Sequence, residues 1–157
     1  MSKKTRLMVV IALGFACTLL SFGSSMALDF SGGSYFNVRI TGPVLVTVTA
    51  PNLTLDVTVT NERRDTDWSD PDNPRPLPKI LQSLQILVID PISGARVAGP
   101  QTITVQSMFI YQQTITRQIT VAIPMRPYRN KTLAAIIVAV DNEDVVRGSA
   151  GWGFVTN

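Results

Sequence analysis

The clearest pattern in this chain lies at residues 53–60, where apolar and polar side chains alternate without interruption. Leu53, Leu55, Val57 and Val59 fall on one side, Thr54, Asp56, Thr58 and Thr60 on the other. A period of two marks a strand with one buried and one wet face. Residues 80–88 repeat it through Ile80, Leu84, Ile86 and Val88, with Gln82 and Gln85 opposite. Residues 117–123 do so through Ile119, Val121 and Ile123, and the β-branched runs 44–49 and 102–105 predict two shorter strands. Residues 132–140 differ, because both sides are apolar. Such a run is a strand covered on both faces or a buried helix, and Ile136, Ile137, Val138 and Val140 favour the strand.

Turn chemistry separates these runs. Asp90, Pro91 and Gly94 predict a hairpin connection, with Pro supplying a fixed negative φ and Gly a positive one. Gly42 and Pro43, Ala50 and Pro51, Gly99 and Pro100, and residues 124–130 read as further breaks. Short strands at this spacing, without an amphipathic helix, predict an all-β fold: a single immunoglobulin-like antiparallel β-sandwich of about 7–9 strands. The paired cysteines of antibody domains are absent, so the expectation stops at architecture.

The first residues follow a different rule. Lys3, Lys4 and Arg6 precede an apolar stretch over residues 7–22, and Ser25 and Ala27 then supply an A-x-A-like cleavage site. This is the form of a secretory signal peptide over residues 1–27, cut before Leu28. An uncleaved anchor is the competing reading, but the stretch falls short of the roughly 20 residues that cross a bilayer as a helix. Gly14, Thr18 and Ser21 also interrupt it. Lipidation at Cys17 would need a small residue where Phe15 stands. Residues 28–157 then form one exported domain, with a strand-competent arm at 28–41 and a long acidic, Pro-rich loop at 61–79. The expected destination is outside the cytoplasm: periplasm, cell surface or medium.

Removing the leader changes the charge balance. The whole chain carries a formal charge of +3, and Lys3, Lys4 and Arg6 account for all of it. The neutral remainder lacks the basic footprint of a nucleic-acid binder and any charge repulsion opposing self-association. Nor is a membrane partner expected after cleavage.

Composition also restricts chemistry. The chain has no His, and its one Cys lies in the leader, so a Ser-His-Asp triad, a thiol nucleophile and the usual Zn or haem ligands are excluded from the domain. Two carboxylates about 5–10 Å apart can hydrolyse glycosides, but the acids here cluster in loops. A non-enzymatic protein without an obligatory cofactor is expected.

The strongest candidate for an ion is the acidic run Asp65, Asp67, Asp70 and Asp72, because oxygen ligands at alternate positions suit Ca²⁺. Asp70 and Pro76 stand where an EF-hand needs Gly and Glu, so the run is not an EF-hand. A second group, Asp141, Glu143 and Asp144, would share the ion if the loops met. The other reading is a solvated loop whose acids pair with Arg63, Arg64 and Arg75. Trp68 within the run is either a ligand contact or a pin that folds back on the domain.

The ends of the domain suggest assembly. Phe36, Val38 and Ile40 alternate with Asn37 and Arg39, making an arm that completes its own sheet or adds to a neighbour's open edge. The Gly-rich C-terminus places Trp152 and Phe154 on one face. Asn52 and Asn130 head N-x-T triplets and are candidate glycosylation acceptors. The expected function is that of an exported structural protein acting by self-association or on another extracellular protein: a pilus-like surface filament or layer subunit joined by β-strand addition. The alternative is a monomeric secreted module that binds calcium or a glycan through the Trp68 loop.

Overall fold

The computed structural model describes residues 35–157, so the leader, its cleavage site and residues 28–34 of the arm lie outside the described residues. Ten strands follow in order: β1 (Phe36–Thr41), β2 (Leu45–Val46), β3 (Asn52–Asn61), β4 (Thr66–Asp67), β5 (Arg75–Pro76), β6 (Lys79–Ile89), β7 (Arg96–Phe109), β8 (Thr114–Ala122), β9 (Thr132–Asp141) and β10 (Val146–Thr156). The fold is all-β. One sheet has the order β1-β3-β8, a second β2-β10-β9-β6-β7, and β4 and β5 pair by themselves.

The two larger sheets share one core. Phe36, Val38, Ile40, Leu53, Leu55, Val57, Val59, Ile119 and Val121 come from the three-stranded sheet. Leu81, Leu84, Ile86, Val88, Leu133, Ile137 and Phe154 meet them from the other. The alternation at 53–60 becomes β3, whose four inward residues are fully buried. Its outward threonines pair across to β8, Thr54 with Thr120, Thr58 with Thr116 and Thr60 with Thr114, at 3.0–3.1 Å. Each such cross-strand pair contributes roughly 0.2–1 kcal/mol.

Four expectations need correcting. Not all pairing is antiparallel, because β2 runs parallel to β10. In β6 a register shift between Leu81 and Ser83 inverts the phase, so Leu81 enters the core while Ile80 is half-buried. A bulge adds one residue, which is enough to swap faces. Gly99 and Pro100 do not end a strand but lie inside β7, where register shifts opposite Ile86, Val88 and Ile89 absorb the irregularity. The 61–79 loop is not structureless, because Thr66 pairs with Pro76 and Asp67 with Arg75.

The predicted hairpin at 90–94 forms between β6 and β7. Gly94 has φ 69°, and its N–H donates to Asp90 O at 2.8 Å. The Asp90 carboxylate receives the Ile92 N–H at 2.9 Å, closing the turn from inside. Residues 132–140 form β9, buried on both faces.

Candidate functional site

The acidic loop spends its carboxylates one at a time. Asp65 pairs with the Arg63 Nε at 2.9 Å and with Lys79 Nζ. The hydrogen bond from Lys79, then that from Arg63, hold its carboxyl below the usual range. Asp67 accepts the Ser69 N–H at 2.9 Å, an Asx turn that lowers its pKa. Asp70 accepts the Asp72 N–H at 3.3 Å, and Asp70 and Asp72 are both exposed. Among the described residues no three carboxylates gather into a group that would hold a metal ion. Trp68 stands at the tip, 65 % exposed, and does not fold back onto the domain.

Asp141 does not join that loop. It is fully buried, and its carboxylate receives four hydrogen bonds. Oδ1 accepts the N–H groups of Glu143 and Val145 at 2.9 Å. Oδ2 accepts the Tyr35 hydroxyl at 2.7 Å and the Arg147 Nε at 2.6 Å. Burial raises its pKa, but the hydrogen bonds from Arg147, Val145, Tyr35 and Glu143 outweigh it and the net shift is downward. Tyr35 is pushed up to about 12, by burial first and by its bond to Asp141 second. Three cations surround the Tyr35 ring: Arg147 at 5.0 Å, Lys79 at 5.2 Å and Arg63 at 5.8 Å from its centroid. This is a clamp at the start of β1, not an ion site.

The arm residues lie in their own domain. Phe36, Val38 and Ile40 are 2–3 % exposed, and β1 pairs with β3 from Phe36 opposite Asn61 to Thr41 opposite Asp56. At the C-terminus Phe154 is in the same core. Trp152 packs against that core and donates its indole N–H to Pro43 O at 3.0 Å. The close approach that glycine permits is made within this chain, since a Cβ on Gly148 would overlap the backbone oxygen of Phe36. Asn52, at the start of β3, and Asn130, at φ 55°, are both exposed.

The sequence reading passed over the far edge of the five-stranded sheet. There Val44, Leu45, Val48 and Val155 are 68 %, 48 %, 54 % and 44 % exposed. Val155 donates its N–H to Val44 O at 2.8 Å, and Leu45 lies opposite Val155. No charged residue occurs from Ile40 to Leu55. A run of exposed valines on a short strand was the available signal, but it is equally a core pattern.

No protein-family profile matches the chain, and no curated protein matches it. Among solved structures it is similar to an alkylpurine DNA glycosylase from Pseudomonas fluorescens bound to DNA containing an abasic-site analogue. Identity there is 11 %, TM-score 0.44 and coverage 96 % of this chain, which spans 36 % of the glycosylase. It is also similar to a Niemann-Pick type C2 protein from the Japanese carpenter ant, at 6 % identity and TM-score 0.45, over 84 % of this chain and 100 % of that one. At these scores neither likeness carries an argument, and the fold stands on the strand pairings alone.

Proposed function

We propose that this protein is an exported, non-enzymatic structural subunit that works by protein–protein association, in a pilus-like filament or extracellular layer, through β-strand addition. The observation that carries the reading is the unguarded edge at β2. Natural sheet edges are usually blunted by charge, proline or a covering element. Here Val44, Leu45, Val48 and Val155 are exposed without a charge among them. A neighbour's strand can pair along that edge, with the apolar side chains giving it register. The arm's apolar face is occupied at home, so the donor strand comes from elsewhere in the partner. The strand order supports an immunoglobulin-like reading: β1-β3-β8 against β10-β9-β6-β7 corresponds to A-B-E against G-F-C-C′.

Sizing and negative-stain microscopy of the chain beginning at Leu28 test the proposal. Assemblies are expected, and a Leu45→Lys/Val48→Lys variant should yield monomers of unchanged melting temperature. A strictly monomeric parent at high concentration, with and without calcium, overturns it. The second reading, a monomeric secreted module binding calcium or a glycan, is favoured by the exposure of Trp68. It requires a ligand-dependent rise in melting temperature that the Asp67→Ala/Asp70→Ala variant loses.

A further inference from the structure

The five-stranded sheet has a second apolar face. Residues alternating with the shared core, Leu87 and Ile89 on β6 and Ala134, Ile136, Val138 and Val140 on β9, form a separate cluster on the opposite side. Ile89 and Ala134 are 1 % exposed, Val138 2 %, Ile136 and Val140 3 %. A side chain on a bare sheet face keeps its tip in solvent, so burial this deep needs atoms stacked above it. Among the described residues Val146 is the partly buried hydrophobic packed against this cluster. The strands in main contact with β6 and β9 are their sheet neighbours and β1, whose apolar residues belong to the other cluster.

We propose that this face is the seat of the chain's own N-terminal apolar segment, residues 7–22, for as long as that segment stays attached. Residues 1–34 precede the described part, and 7–22 is their long uncharged stretch, matching a face that is itself uncharged. The chain enters at the right place: Tyr35 donates its N–H to Arg147 O at 3.0 Å, beside the start of β10 and one strand from β9. Residues 23–34 reach up to about 40 Å at 3.3–3.6 Å each, enough to cross two strands spaced about 4.8 Å apart. Cleavage before Leu28 removes the cover and leaves an apolar strip on a domain of zero net charge, a second surface for association. The seat itself does not depend on the proposed function, because a chain that packs its segment and never assembles leaves it intact.

Cys17, the chain's one cysteine, sits within the segment and serves as the probe. In the full chain, Val138→Cys places a thiol on the strip, and Thr58→Cys places one on the outer face of the other sheet as a control. A short bifunctional thiol reagent should join Cys17 to the first within one chain at least tenfold more than to the second. In the unaltered chain, alkylation of Cys17 should be at least tenfold slower in buffer than in denaturant, a readout that survives a poorly folding variant. Equal joining at both positions, links only between chains (a second copy as the cover), or unprotected Cys17 each overturn the proposal.

Discussion

Replacing Asp141 tests the clamp at the start of β1. Asp141→Ala removes a fully buried carboxylate and orphans the Tyr35 hydroxyl, the Arg147 guanidinium and two backbone N–H groups. Hydrogen bonds to a charged group contribute about 1.5–3 kcal/mol each, and breaking a buried pair from one side costs about 3–5 kcal/mol. A loss of about 4 kcal/mol is therefore expected, out of about 5–15 kcal/mol for a whole domain. Asp141→Asn keeps the Oδ1 acceptor and should lose about half as much. Urea unfolding at neutral pH, followed by tryptophan fluorescence, measures both variants. Acid adds a second readout. The native carboxyl titrates below its unfolded value of about 3.9, so on acidification the unfolded chain takes up the proton first. Its contribution is complete above about pH 4 and disappears as pH falls through the depressed native pKa. The parent should lose stability more steeply than Asp141→Asn in that window. A cost below about 1 kcal/mol for Asp141→Ala, or identical acid limbs, would refute the clamp.

Three further outcomes follow from the geometry. Gly148→Ala should lower stability by roughly 2–3 kcal/mol, read as a melting shift, because the obstructing Phe36 oxygen is backbone and cannot turn aside. Asn61→Ala should cost about 2 kcal/mol in denaturant unfolding, since Asn61 is fully buried, donates to Phe109 O at 3.0 Å and receives the Arg63 N–H at 3.0 Å. Calcium at millimolar concentration should leave the melting temperature unchanged, because Asp65 is held by Arg63 and Lys79 and the other loop acids do not converge on it; a rise would restore the ion-binding reading.

Much of the fold was legible because burial on one face writes a period of two directly into the sequence. β3 and the end of β8 follow that rule side chain by side chain, and the two-sided run at 132–140 marks the central strand. Legibility failed where one residue changes phase. The bulge near Leu81 exchanges inside for outside, and nothing in the local composition announces it. Arg96–Phe109 was hidden for a related reason, since Gly99 and Pro100 carry turn chemistry that an edge strand tolerates. The candidate site was less legible still. An alternating arm reads the same whether it enters its own sheet or another's, and a row of aspartates does not say which cations stand beside it. Asp141 was visible only as one acid among several, because Tyr35 lies 106 positions away along the chain.

The direction of β10 also has a mechanical meaning. Tyr35 is held at its beginning, against Arg147, while Asn157 is tied to Val46 at its end, so the two described termini leave from opposite poles. Tension applied between them runs parallel to the strands and across their hydrogen bonds, which stand perpendicular to the strand axes. The six residue pairs joining β1 to β3 then carry the load together, in shear, instead of opening one after another like a zip. A subunit threaded into a fibre by its ends would resist stretching at that ladder before any other.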